Sequence, residues 1–211
     1  MSECVTVCVR CRPFNSIEKK ENRKNIVSIN RDECQVSITN PDAKEKKVRH
    51  FTFDAVFGAQ SMQREIYDEI AYPLVEAVLD GFNGTIFAYG QTGCGKTFTM
   101  LGEVGQSPEL WGIIPNCFLN IFDNLRIGGS EGEEYLVQAS YLEIYNEKIR
   151  DLLAINEDEN ASLQLREHPD KGVYVRSLTE TVVESVEAIQ QVMNKGAKNR
   201  TIGATAMNQG A

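Results

Sequence analysis

Apolar and polar residues alternate at the start of the chain. Val5, Val7 and Val9 take turns with Cys4, Thr6 and Cys8, the period of two that predicts a strand over residues 4–9. Pro13 ends it, because proline has no N–H to give to a ladder. The polar run 16–25 predicts a loop. Residues 26–29 and 35–38 predict short strands joined by a turn at 30–33, and Asn40-Pro41 opens a further turn. Residues 44–49 form a basic loop or edge segment. Aromatic and polar residues then alternate over 50–57. Beyond Ser61, read as a helix N-cap, Ile66, Ile70, Leu74, Val78 and Leu79 recur at helical spacing up to a stop at Gly81. Pro73 kinks that helix or divides it.

Residues 85–89, Thr-Ile-Phe-Ala-Tyr, predict a short strand of the buried type. A turn or two of helix follows at 96–101. Gly102, Gly105, Pro108 and Gly112 then interrupt, and helical periodicity resumes over 113–125 with Pro115 near its first turn. One helix is therefore split by an insertion, and Trp111 sits in it. Gly128 to Gly132 reads as a turn. Residues 135–145 predict a long strand, 146–153 a short helix and 157–160 an acidic loop. Residues 164–166 and 172–176 predict a hairpin. Ser185 caps a last helix with Val186, Ile189, Val192 and Met193 on one face. No internal repeat or low-complexity linker interrupts the pattern.

With 42% hydrophobic and 25% charged residues among 211, the chain can bury a core and is not a disordered polymer. No apolar run reaches the roughly 20 residues that span a bilayer, and Met1-Ser-Glu-Cys-Val5 is neither basic nor apolar enough for a signal segment. These features predict a cytoplasmic protein with no membrane association. The net charge of −8 argues against a nucleic-acid partner. Cys8 and Cys11 have the spacing of half a zinc site. However, residues three apart on a strand point to opposite faces, and neither His50 nor His168 lies near them in sequence. The six cysteines read as reduced, small apolar residues.

The chemistry concentrates in Gly90-Gln-Thr-Gly-Cys-Gly-Lys-Thr97, a full G-x-x-x-x-G-K-[ST] phosphate loop between a predicted strand and a predicted helix. Gly90, Gly93 and Gly95 let the backbone curl and turn its N–H groups toward phosphate oxygens. Lys96 supplies a flexible cation for the outer phosphates, and the Thr97 hydroxyl is placed to ligate Mg2+. Gln91, Thr92 and Cys94 complete the loop. A thiol beside a helix start can be activated, so alkylation of Cys94 is expected to block nucleotide, and ATP to protect it. Hydrolysis would call for a downstream apolar strand ending in Asp. None is evident after Thr97, and no catalytic residue is assigned.

Taken together, the motifs resemble a kinesin motor domain across nearly the whole chain. They are Val9-Arg-Cys-Arg-Pro-Phe-Asn15, Phe51-Thr-Phe-Asp-Ala-Val-Phe57, Gly81-Phe-Asn-Gly-Thr85 running into the phosphate loop, Gly112-Ile-Ile-Pro115, Ser140-Tyr-Leu-Glu-Ile-Tyr-Asn-Glu-Lys-Ile-Arg-Asp-Leu-Leu153, and Asn199-Arg-Thr-Ile-Gly-Ala-Thr-Ala-Met-Asn208. Within the family, Arg166-Glu-His-Pro-Asp-Lys-Gly-Val-Tyr-Val175 looks most like the ciliary kinesin-2 group.

The resemblance implies an α/β P-loop NTPase of the kinesin motor fold, three layers around a central mixed β-sheet. It implies ATP or ADP with Mg2+, a microtubule (tubulin) track, and a partner subunit joined through neck and stalk. It also implies a place in the cytoplasm on the microtubule cytoskeleton, with the cilium as the kinesin-2 setting. Arg10, Arg12 and Pro13 match the segment that flanks adenine. Phe82 matches an aromatic beside the base, and Phe98 stands where some members have His. Lys148, Arg166 and Lys171 match basic positions of the microtubule face, suited to tubulin's acidic surface. The family continues past Asn208 with Ser-Ser-Arg-Ser-His and later Asp-Leu-Ala-Gly-Ser-Glu, which this sequence does not contain. The resemblance therefore implies the N-terminal portion of one motor domain over 1–211, in which the strand at 85–89 lacks sheet neighbours. Two other readings remain at this point: a nucleotide- or tubulin-binding fragment without turnover, and an unrelated phosphate-loop kinase or switch.

Overall fold

The computed structural model describes residues 5–41, 47–103, 107–128, 134–155, 163–169 and 172–208, without the side chains of 127, 128 and 201–208. Chain contacts divide it into two compact units, Met1–Cys117 and Phe118–Ala211.

In the first unit, β1 (Cys8–Arg10) pairs in parallel with the fully buried β5 (Ala55–Phe57), in register from Cys8 opposite Ala55 to Arg10 opposite Phe57. The polar run after Pro13 is not all loop. It opens with α1 (Ser16–Lys20), because Asn15 and Glu18 form a capping box. The Asn15 carboxamide oxygen accepts from the Glu18 N–H and the Glu18 carboxylate accepts from the Asn15 N–H, both at 2.8 Å. An antiparallel meander follows, β2 (Val27–Asn30), β3 (Gln35–Thr39) and β4 (Val48–Thr52). The aromatic alternation at 50–57 breaks into β4 and β5. At the break the Phe53 N–H bonds the Cys34 carbonyl at 3.0 Å, and the Asp54 carboxylate accepts from the Val7 N–H at 2.7 Å.

The helix expected after Ser61 starts one residue later than predicted. Met62 is the cap position, and its N–H donates to Glu65 at 3.1 Å. Pro73 divides the helix as anticipated, in a specific way. α2 (Gln63–Ile66) widens into a π-turn (Tyr67–Ala71), and α3 (Tyr72–Leu79) continues from it with Pro73 in its first turn. Proline cannot donate to the preceding turn, and the widened turn before it spares the clash its ring would make with a carbonyl four residues back. Gly81 closes α3 at φ +97°. Its N–H reaches the Val78 carbonyl and that of Phe82 reaches Ala77, the paired bonds of a Schellman end.

Residues 85–89 are not the buried strand that their composition predicts. They join no ladder among the described residues, and Phe87 and Tyr89 are 76% and 94% exposed. An apolar β-type run becomes a buried strand only when neighbouring strands flank it, and here only Ile86 reaches the core. That core gathers Ala55, Phe57, Ile66, Tyr67, Ala71 and Ile113, with Met100 and Cys117 packed on it. Burying one side chain the size of Phe57 contributes about 1.5–3 kcal/mol. The split helix appears as α4 (Lys96–Met100) and α5 (Ile113–Gly128), with a short 3-10 turn (Pro108–Leu110) between them.

The second unit packs Phe122, Val183 and Ile189 with Phe118, Leu125, Val137, Val186, Val192 and Met193. The strand expected over 135–145 is two: β6 (Gln138–Ala139), and β7 (Leu142–Tyr145) after a break at Ser140 and Tyr141. The helix expected over 146–153 is instead the return strand of a hairpin, β8 (Lys148–Asp151). Asn146 and Glu147 adopt φ +48° and +62°, the backbone of a two-residue turn that matches strand twist, so Tyr145 faces Lys148 and pairing wins over helix. The hairpin expected after residue 164 is present as β9 (Gln164–His168) and β10 (Gly172–Arg176). β11 (Thr181–Val182) pairs with β6. The Ser185 hydroxyl caps α6 (Val186–Asn208) by accepting from the Ala188 N–H at 3.2 Å. Of the turn expected at 128–132, Gly128 is the last residue of α5, and the rest, like the acidic loop expected at 157–160, lies outside the described residues.

Candidate functional site: the phosphate loop and its supports

The loop of residues 90–97 carries left-handed or otherwise glycine-favouring backbone at Gly90 (φ +150°), Gly93 (+78°) and Gly95 (+98°), the last directly before α4. Gly90 is the tightest position. A Cβ there would stand 2.6 Å from the Cys94 sulfur. The loop thus closes on itself, with the Cys94 N–H on the Gln91 carbonyl at 3.3 Å. Lys96 folds back over it, its Nζ 2.6 Å from the Gly90 carbonyl, 2.9 Å from the Gln91 carbonyl and 4.0 Å from the Cys94 sulfur. These partners are neutral, and among the described residues no carboxylate pairs with the ammonium. The Thr97 side chain is exposed one residue further on. A curled glycine backbone, an ammonium held by carbonyls and an exposed threonine are the groups that a magnesium–nucleotide phosphate fits.

The loop is braced from the N-terminal strand. Arg12 Nε donates to the Gly93 carbonyl at 2.8 Å, and its two terminal nitrogens grip the Glu18 carboxylate at 2.7 and 2.8 Å. It also donates to the Pro13 carbonyl at 2.9 Å. The forked bond from Arg12, then the Asn15 N–H, hold the Glu18 carboxyl down at about 2. Glu18 in turn raises the Arg12 guanidinium above its ordinary value.

Arg10 lies deeper, where burial lowers its pKa. It donates to Gln63 Oε1 at 2.7 Å and to the Thr99 hydroxyl at 2.9 Å, and its guanidinium stands 5.1 Å from the centre of the Phe98 ring. Its charge is thus spent inside the unit, on the helix that follows the loop. Phe98 and Phe82 are both exposed.

Of the three basic positions matched to a track-binding face, Lys148 lies exposed at the start of β8. Arg166 lies exposed on β9, where it donates to Gln164 at 2.7 Å. Lys171 lies outside the described residues. The motifs gave no notice of Glu18, Gln63 and Thr99. Asn15-x-x-Glu18 carries a capping-box signal that could have revealed the first. Nothing in the pattern marks the other two.

The family model of the kinesin motor domain matches residues 10–211. The chain belongs to the kinesin motor domain family. Among kinesin relatives, the Kinesin-like protein klp-20 of Caenorhabditis elegans is 49% identical over 207 residues, which are 98% of this chain and 31% of that protein. Kinesin-like protein KIF3C of Pongo abelii is 46% identical over 209 residues, 99% of this chain and 26% of its own length. A solved fast kinesin, whose title concerns ATPase mechanism and interactions with microtubules, superimposes with a TM-score of 0.85 at 39% identity. The match covers 97% of this chain and 55% of that one. The chain therefore spans about a third or less of these curated relatives' length and just over half of the solved kinesin chain. A kinesin motor fold implies nucleotide binding.

Proposed function

We propose that this chain is the nucleotide-gripping portion of a kinesin-2-like motor that hydrolyses ATP in its intact form and moves along microtubules. The observation that carries the reading is the loop itself: three glycines in turn-forming backbone under a lysine whose ammonium, among the described residues, meets only neutral acceptors. Backbone N–H groups of residues 90–97 and the Lys96 ammonium would hold the phosphates, and the Thr97 hydroxyl would ligate Mg2+. When bound, Mg2+ supplies positive charge that offsets charge developing on the phosphate oxygens. Phe98, Phe82, Pro13 and the exposed face of Arg12 would flank the base. Lys148, Arg166 and Lys171 would steer the motor onto acidic tubulin. This assignment places the protein on the microtubule cytoskeleton, with the cilium as its kinesin-2 setting and a partner subunit outside this chain.

Microtubule-stimulated ATPase of the intact motor tests the proposal. Lys96→Ala should abolish turnover, and Lys148→Glu with Arg166→Glu should raise the microtubule concentration for half-maximal rate while leaving basal turnover unchanged. Normal stimulated turnover in Lys96→Ala would refute the role of the loop.

A further inference from the structure

We propose that Gln63 is a positioning residue for nucleotide binding, holding α4, and with it Lys96 and Thr97, in place through the Phe98 carbonyl. The inference rests on the assignment of residues 90–97 as the nucleotide loop. Gln63 is 5% exposed at the first position of α2. Its carboxamide meets three segments far apart in sequence. Oε1 accepts from Arg10 at 2.7 Å, and Nε2 donates to the Phe98 carbonyl at 2.6 Å and to the Leu110 carbonyl at 3.3 Å. The orientation of the amide is fixed by its partners, since a guanidinium cannot accept and a carbonyl cannot donate.

α4 needs such a hold. It has five residues, too few to be stable as an isolated helix. Its last carbonyls have few partners within the helix, and a carbonyl even partly withdrawn from water gains from one. Gln63 supplies it at Phe98, one residue after Thr97. Arg10, itself fixed by Gln63, takes the Thr99 hydroxyl and covers the Phe98 ring. The residues meant to touch phosphate and metal thus stand on a helix whose far side is gripped by one buried amide.

The chemistry of an amide is what the position uses. Gln63→Glu keeps the length and strengthens the bond to Arg10, but turns the donor facing two carbonyls into an acceptor. The full chain is titrated with Mg-ATP and Mg-ADP well below its unfolding temperature. Gln63→Glu is expected to keep the wild-type circular dichroism and to bind at least tenfold more weakly. Affinity within twofold of wild type would overturn the proposal. Should that variant not fold, the wild-type protein gives the answer directly. The side-chain NH2 resonances of Gln63 are expected to shift when Mg-ATP is added, and resonances that stay in place would overturn it. Wild type and Lys96→Ala run in parallel separate the two claims. Failure of wild type to bind nucleotide removes the loop assignment and this inference with it. Wild-type binding with a normal Gln63→Glu removes only the role of Gln63.

Discussion

Replacing Gly90 by Ala probes whether the loop conformation seen here is the one that binds. At φ +150° an L side chain is strained, and non-glycine residues in such backbone cost about 1–3 kcal/mol. The added methyl would also stand 2.6 Å from the Cys94 sulfur and 3.7 Å from its Cβ. The sulfur is the end of a short side chain that can turn away, at a rotamer cost of about 0.5–1.5 kcal/mol. The middle of both ranges sums to about 3 kcal/mol. At 1.4 kcal/mol per tenfold this is a loss of roughly 100-fold in nucleotide affinity, provided that the free loop relaxes and must be forced back on binding. Adding Cys94→Ala removes the sulfur clash but not the strain, since the remaining 3.7 Å contact is ordinary packing. The double variant should therefore recover about fivefold over Gly90→Ala and stay well below Cys94→Ala alone, which serves as the reference. Fluorescent-nucleotide titration of the four proteins measures the cycle. Wild-type affinity in Gly90→Ala would show that binding does not require this backbone, and full recovery in the double variant would show that strain at Gly90 is negligible.

Other outcomes follow from the same geometry. Glu18 has its pKa lowered from 4.5 to about 2, so its bond to Arg12 contributes fully above pH 4.5 and is lost as pH falls from there toward about 2. NMR titration of its carboxyl should show that low midpoint, and a midpoint near 4.5 would mean the bridge does not form. Asp151 is buried and accepts from the Leu153 and Thr179 N–H groups at 2.8 and 2.7 Å, so Asp151→Ala leaves buried donors unmet and should lower stability by about 2–4 kcal/mol in denaturant unfolding. Burial pushes the Cys117 thiol up to about 11, so at pH 7.5 mass spectrometry should find Cys94 alkylated well before Cys117, with Mg-ATP slowing modification of Cys94.

Elements set by local chemistry were legible in the sequence. The glycine loop, the division at Pro73, the Gly81 stop, the Ser185 cap and the hairpin after residue 164 each follow from a residue type acting on its own neighbours. The errors arose where distant partners or turn backbone decide. Residues 85–89 have strand composition, but a strand needs flanking strands. Residues 146–153 have helix-compatible composition, yet Asn146 and Glu147 adopt a left-handed turn that brings β8 back along β7. At the site, the loop was visible because its chemistry is contiguous. Its supports were not, because Arg12 meets Gly93 across 81 residues and Gln63 meets Phe98 across 35. Burial and pairing over such separations leave no periodic trace.

Calorimetric titration of Mg-ATP into the wild-type chain and into Lys96→Ala tests the central claim most directly. With the Lys96 ammonium poised over the Gly90 and Gln91 carbonyls, the account predicts saturable, magnesium-dependent binding to the wild type and none measurable to the variant. Equal binding by the two proteins would contradict it.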